Sequence, residues 1–174
     1  MLWSYLGDIL LTQVRDQEAE PVYQAALRYR PNDFDSLLGL GSVCANLNRL
    51  DEARSHLERA LAVNPSSGPA RLRLAIVLDR QNETGPARTE YLRAIESGAD
   101  EPQAHFRLGV LFARDNQPAE ALKHLRIAFQ RQPGKYVPMV RNELRNIRSD
   151  LDSIRYTKAF SDLLKEFEIP ARPY

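Results

Sequence analysis

A period of 34 residues constrains the fold of this chain more than any other feature of its sequence. Columns of small or apolar residues keep that spacing, without a single insertion, from the start of the chain to Pro133. Three of these columns are Ala19, Ala53, Ala87 and Ala121; Tyr23, Leu57, Tyr91 and Leu125; and Ala26, Ala60, Ala94 and Ala128. A unit this short cannot bury its own apolar surface, so the period predicts units that stack on their neighbours.

Each unit is predicted to contain two helices joined by a turn. Apolar residues recur at helical spacing, and turn-forming residues separate one run from the next. A second register precedes the first in every unit and consists of Leu6, Leu40, Leu74 and Leu108, each followed by glycine or alanine. Small residues on facing helices allow the two axes to approach closely, so we expect a packed helical hairpin in each unit.

These columns together resemble the tetratricopeptide repeat, whose pattern runs Trp, Leu-Gly, Tyr, Ala, Phe, Ala and Pro. Trp3 opens the first unit, and Pro31, Pro65 and Pro133 close three of the four. The resemblance implies an all-α fold, a right-handed solenoid of helix-turn-helix repeats with the first helices lining its concave side. We expect four repeats, at residues 1–33, 34–67, 68–101 and 102–133.

The period fades after Pro133, and residues 134–174 are expected to form C-terminal capping helices. One apolar stripe there predicts a helix over the open end of the array, and it contains Tyr136, Val140, Leu144, Ile147 and Leu151. A second predicted helix offers an apolar set for packing on the last repeat: Ile154, Phe160, Leu163, Leu164 and Phe167.

Catalytic chemistry finds little support in the sequence. It contains no glycine-rich phosphate loop, no HExxH and no GxSxG motif. Its single cysteine, Cys44, lies in an apolar column and is interpreted as a small buried side chain. His56 and His124 share a column two repeats apart, roughly 20 Å at about 10 Å per helix layer, and His105 is expected to pack. We therefore expect a protein that is not an enzyme, without metal or cofactor.

The distribution of charge along the chain leaves a second function open. The net charge is +1, but residues 105–148 carry nine basic and three acidic side chains. Arg141, Arg145 and Arg148 stand at helical spacing and are most simply a solvated face, whereas the remaining basic residues are Arg107, Arg114, Lys123, Arg126, Arg131 and Lys135. The alternative is an electrostatic binder of an acidic or polyanionic partner, whose affinity falls as salt rises. Sparse aromatic residues for base stacking count against nucleic acid.

The resemblance to the tetratricopeptide repeat implies a partner-binding groove along the first helices. Side chains transferred to it by column are Leu38, Ser42, Asn46, Leu72, Ile76, Asp79, Arg80, Phe106, Val110 and Arg114. Their apolar members favour an extended peptide or an amphipathic helix of another protein. The alternative is that the curvature of the array or the C-terminal helices cover these apolar side chains. We therefore predict a protein-interaction module, and we expect Phe106→Glu or Leu72→Glu to abolish partner binding without loss of helicity.

The first eleven residues, MLWSYLGDILL, are apolar but are interrupted by Asp8 and preceded by no basic residue. This argues against a signal peptide or a membrane span and favours the cytoplasm. Trp3 lies so close to Met1 that the first helix has almost no lead-in, which favours a chain that is part of a longer protein. A non-catalytic recruiting arm of a larger enzyme is therefore a third interpretation. Assembly into a homo-oligomer stays open.

Overall fold

The computed structural model describes residues 2–143, 150–155 and 157–167, and within these ranges the regular structure is entirely α-helical. Eleven helices are described: α1 (Leu2–Thr12), α2 (Asp16–Tyr29), α3 (Phe34–Asn46), α4 (Leu50–Val63), α5 (Gly68–Arg80), α6 (Thr84–Glu96), α7 (Pro102–Arg114), α8 (Pro118–Arg131), α9 (Pro133–Glu143), α10 (Asp152–Arg155) and α11 (Lys158–Glu166). The contacts divide the chain into two compact units, Met1–Ala99 and Asp100–Tyr174. We call them unit 1 and unit 2.

Unit 1 consists of three helical hairpins, α1–α2, α3–α4 and α5–α6, stacked in chain order. Each second helix also packs on the first helix of the next hairpin, α2 on α3 and α4 on α5. The alanines predicted to allow close helix packing are fully buried, as shown by Ala19, Ala53 and Ala87. Side-chain caps begin α3 and α5, where Asp33 accepts from the Ser36 backbone N–H and Ser67 from that of Ala70.

In the described part of unit 2, α7 and α8 form a hairpin and three further helices lie around it. Helices α9 and α11 contact α8, and the short α10 contacts α7, α8 and α11. Most of the predicted packing residues are buried in unit 2, namely Tyr136, Val140, Leu151, Ile154, Phe160, Leu163 and Leu164. Phe167 meets Phe129 edge to face, with ring centroids 5.4 Å apart. Leu144 and Ile147 of the predicted stripe lie outside the described residues.

The turn inside each hairpin uses a left-handed backbone conformation at one fixed position. Asn48, Asn82 and Asn116 have φ of 63°, 63° and 57°, and Val14 stands at the corresponding position with φ of 59°. Asparagine tolerates this conformation, whereas the branched Cβ of valine is strained in it. Because Val14 is 80% exposed, its side chain gains little packing in return.

Val14→Asn is therefore expected to raise the free energy of unfolding by about 1 kcal/mol, since it removes strain and loses almost no burial. Urea unfolding monitored by circular dichroism would measure it. Val63→Asn is the matched control, because Val63 is also exposed but ends a regular helix. An equal gain in both variants would contradict the strain argument.

Candidate partner-binding surface

The predicted groove residues of unit 1 lie on two first helices that contact each other, α3 and α5. Leu38, Ser42 and Asn46 occur at every fourth residue of α3, and a spacing of four keeps side chains on one helix face. Leu72, Ile76 and Arg80 repeat this arrangement on α5, with Asp79 beside them. The structure thus brings together the seven groove residues that lie in unit 1.

The apolar members of this face differ in accessibility. Leu38 and Ile76 are half-buried, whereas Leu72 is only 6% exposed. A glutamate at position 72 would therefore bury a charge, which costs stability whether or not a ligand binds there. Leu38 and Ile76 are the apolar side chains of this face with surface left for a ligand.

Its polar members form hydrogen bonds within the protein. Ser42 Oγ donates to the Leu38 carbonyl at 2.7 Å, and Asn46 Nδ2 donates to Asp16 Oδ1 at 2.8 Å. Arg80 reaches from α5 to the preceding hairpin and donates to the Ala45 carbonyl at 2.6 Å. Asn46 and Arg80 therefore fix adjacent hairpins against each other, whereas the bond of Ser42 lies within α3.

Asp79 is 8% exposed and accepts a hydrogen bond of 3.4 Å from the Tyr91 hydroxyl. A comparable bond at the first hairpin joins the Tyr23 hydroxyl to Asp8 Oδ1 at 2.6 Å. Burial, followed by the bond to Asp8, raises the pKa of Tyr23. The phenol of Tyr23 therefore stays protonated, and both hydroxyls donate from a second helix to a first helix.

The predicted groove residues of unit 2 lie against helices C-terminal to the repeats. Phe106 is 3% exposed and stacks on Tyr136 of α9 with ring centroids 4.8 Å apart, and Val110 is 6% exposed. Arg114 Nε lies 3.3 Å from Asp150 Oδ1, and Ser153 Oγ donates to the carbonyl of Ala113. Because Phe106→Glu would bury a charge under Tyr136, its effect on binding could not be separated from loss of fold.

A pocket of about 240 Å³ remains beside this stack. Its lining is partly apolar and partly polar and consists of Phe106, Arg107, Val110, Met139, Asn142 and Asp150. The space is small compared with typical ligand pockets of about 300–1,000 Å³. We assign no function to it.

The basic residues of unit 2 are largely paired with acidic side chains. Arg131 lies 2.7 Å from Asp100, Arg126 lies 3.2 Å from Glu166, and Lys123 lies 3.2 Å from Glu120. Lys135 stands 5.2 Å from the centre of the Tyr136 ring. The side chains of Arg141, Arg145 and Arg148 lie outside the described part of the chain. The described charges thus form local pairs rather than a uniformly basic surface.

Two histidines form a buried hydrogen-bonded pair that the sequence analysis missed. His105 Nδ1 lies 2.7 Å from His124 Nδ1, and each residue is 5% exposed. His105 Nε2 lies 2.6 Å from Asp100 Oδ1, which in turn is paired with Arg131. Since a carboxylate can only accept, Nε2 carries a proton, and in neutral His105 Nδ1 accepts from His124.

The electrostatics of the pair follow from its burial. Burial first, and then the Coulombic effects of neighbouring His105 and Lys123, lower the pKa of His124 to about 4. The bond to Arg131, followed by the bond to His105, lowers the pKa of Asp100 to about 2. At neutral pH His124 is therefore uncharged, and Asp100 is a carboxylate that holds His105 in position.

The preceding hairpin has an ion pair at the corresponding two positions. Arg71 on α5 lies 2.9 Å from Glu90 on α6, and both stand one repeat length before His105 and His124. The sequence therefore contained a signal for the histidine pair. Opposite charges at the columns of Arg71 and Glu90 indicate that these two columns face each other across a hairpin. The column of His56 and His124 alone does not reveal the pair, because His105 and His124 lie on different helices of one hairpin.

Other chemical roles receive no support from the part of the chain that is described. No group of three or more His, Cys, Asp or Glu side chains in it could hold a metal ion. Cys44 is 1% exposed, as expected for a small buried side chain, and burial raises the pKa of its thiol. None of the described helices combines the length and the apolar character needed to cross a bilayer.

Comparisons with known proteins agree with the geometry. Two family models of the tetratricopeptide repeat match, one over residues 6–69 and the other over residues 49–108. No curated protein sequence matches the chain.

Solved structures show the same fold. A crystal structure of MamA is 20% identical over 93% of this chain and 88% of that chain, with a TM-score of 0.68. YrrB, described as a TPR protein with an unusual peptide-binding site, is 19% identical over 95% and 82% of the two chains, with a TM-score of 0.74. MamA from Desulfovibrio magneticus RS-1 is 21% identical over 76% and 75%, with a TM-score of 0.66.

These matches confirm the all-α solenoid class predicted from the 34-residue columns. At such identities the likeness to solved structures concerns the fold alone, whereas the repeat models concern the sequence itself. Together with the stacked hairpins of unit 1, they show that the chain belongs to the tetratricopeptide-repeat family.

Proposed function

We propose that the chain binds an extended peptide or an amphipathic helix of a partner protein on the face formed by α3 and α5. Tetratricopeptide repeats support the broader function of a protein-interaction scaffold, and a fold of this type is generally non-catalytic. The peptide-binding site named for YrrB belongs to that protein and supports a peptide as the class of ligand here.

One observation carries the proposal. Leu38 and Ile76 are half-buried apolar side chains on two adjacent first helices, and the polar residues around them are already bonded within unit 1. A ligand would bury the remaining apolar surface without first ordering the face, so little binding energy is lost to rearrangement. Alternate side chains of an extended peptide, or one face of a helix, match such anchors.

The test begins with selection of peptides from a random display library against the whole chain. Ile76→Glu is expected to weaken the selected peptides at least about 30-fold, because a central anchor of this kind contributes about 2 kcal/mol. Fluorescence anisotropy with labelled peptide would measure the change. Val63→Glu, on an exposed position of α4, is the matched control and is expected to bind as wild type. Peptides that bind Ile76→Glu equally well would contradict the proposed face.

An acidic partner of unit 2 is the other candidate, but the ion pairs of Arg126, Arg131 and Lys123 weaken it. Poly-glutamate discriminates the two functions. Binding through free basic charges would fall steeply with salt, whereas peptide binding on α3 and α5 would change little.

A further inference from the structure

Helix α1 exposes an apolar face that no described residue covers. Five of its side chains line a shallow concavity of about 330 Å³: Leu2, Trp3, Tyr5, Leu6 and Ile9. Leu2 is 87% exposed and Tyr5 69%, whereas Leu6 and Ile9 keep 43% and 38% of their surface. We call these five side chains the α1 face.

The register of the repeats shows what kind of surface this is. One period after Leu2, Leu6 and Ile9, the chain has Ser36, Leu40 and Val43 in α3, which are 0%, 2% and 0% exposed. Two periods after them it has Ala70, Leu74 and Val77 in α5, which are 0%, 6% and 0% exposed. Because α2 packs on α3 and α4 packs on α5, the α1 face has the register of a stacking surface.

The absence of charge on the α1 face makes it compatible with a copy of itself. Asp8 is the only ionisable acid or base among residues 2–12 apart from the phenol of Tyr5, and it accepts the hydroxyl of Tyr23 from α2. Two such faces can meet about a twofold axis without bringing like charges together, and a twofold contact needs only one self-complementary patch.

A head-to-tail contact of α1 with α2, α4 or α8 of another copy is unfavourable, because other helices already pack on those three second helices. The second helices α2 and α4 carry α3 and α5, and α8 carries α9 and α11. The α1 face of a second copy is exposed, whereas α2, α4 and α8 already pack against other helices.

The area is in the range that a weak dimer requires. Two aromatic and three aliphatic side chains at these exposures leave on the order of 500 Å² of apolar surface. Two such faces together bury roughly 1,000 Å², which is near the lower bound for a specific interface. We expect a dissociation constant in the micromolar range, since a contact of this size rarely binds tightly.

We propose that two copies of this chain associate through the α1 face, α1 against α1 about a twofold axis. The association is separate from the peptide face on α3 and α5, so either proposal can fail without the other.

Trp3 makes the proposal directly testable, because it is the only tryptophan of the chain and lies on the α1 face at 49% exposure. The experiment follows the whole chain by sedimentation equilibrium and by tryptophan emission over a range of concentrations into the submillimolar. The mass is expected to rise from monomer to dimer. Over the same range Trp3 emission is expected to shift to the blue and acrylamide quenching to fall.

The variant Leu2→Glu/Tyr5→Glu is expected to stay monomeric and to keep an unshifted, quenchable Trp3. Both positions are the most exposed of the α1 face, so the fold is expected to be kept, which circular dichroism checks. Leu2→Glu alone is the second variant in case the pair lowers helicity. Val63→Glu, at the same 43% exposure as Leu6 but on α4, is expected to dimerise as wild type.

Three results would overturn the proposal. The first is a wild-type monomer throughout the range, and the second is a dimer in which Trp3 stays as quenchable as in the monomer. The third is a dimer whose dissociation constant is the same in wild type and in Leu2→Glu. The last two would place any association on another surface.

Discussion

Tyr23→Ala is expected to lower the free energy of unfolding by about 3–5 kcal/mol, as large-to-small changes of buried aromatic residues do. Tyr23 is fully buried and joins three helices of unit 1. Its ring lies against Gly7 of α1, where an added Cβ would come within 2.5 Å of Cε1, and an added Cβ at Gly39 of α3 would overlap it. Its hydroxyl also donates to Asp8, so alanine would leave a cavity and remove this hydrogen bond.

Urea unfolding of the whole chain would measure this loss, and two further variants separate its causes. Tyr23→Phe keeps the ring and removes the hydroxyl, so it is expected to cost about 1 kcal/mol. Gly39→Ala is expected to destabilise the wild type by overpacking but to cost less in Tyr23→Leu, where the ring is absent. Equal costs of Gly39→Ala in both backgrounds would show that the Tyr23 ring does not limit the approach of α2 to α3.

Part of the packing around Tyr23 could be predicted from the sequence. The column that contains Tyr23 and the small residue at Gly7 both follow from the period, because packing inside each hairpin repeats every 34 residues. Gly39 does not, since it belongs to a column that otherwise holds Tyr5, Arg73 and Arg107. A contact made in one hairpin alone leaves no periodic signal.

The candidate surface on the first helices could likewise be predicted only in part. Column positions placed Leu38, Ile76 and Phe106 on first helices, but accessibility depends on what lies outside the period. Tyr136 follows the last repeat, and its stacking on Phe106 could not be inferred from the spacing of either residue. The hydrogen bonds of Asn46 and Arg80 to the preceding hairpin were also missed, because long polar side chains at a surface column can reach sideways as well as outward.

Acidification is expected to remove about 3 kcal/mol of stability through His124 alone. Its pKa is about 4 in the folded chain, below the ordinary value of 6.5. The unfolded chain therefore binds more protons in this interval, and stability falls as pH falls. The contribution is fully present above about pH 6.5 and is lost by about pH 4.

Burial explains why a proton on His124 is resisted. In the neutral pair His124 donates from Nδ1 to His105 Nδ1, and His105 keeps its bond to Asp100. A proton added to His124 would place a positive charge on a side chain that is only 5% exposed. Glu120, whose carboxylate lies 4.0 Å from His124 Nε2, opposes this effect only weakly because it is 46% exposed.

The measurement is urea unfolding at a series of pH values between 7 and 4.5, where Asp100 does not yet titrate because its pKa is about 2. His124→Gln is the informative variant, since its side-chain amide can still donate to His105 Nδ1 but cannot take up a proton. It is expected to flatten the pH dependence. His56→Gln is the matched control, because burial also lowers the pKa of His56, and it separates that contribution. If the slope survived His124→Gln, the loss of stability in acid would have to arise outside the hydrogen bond that links α7 to α8.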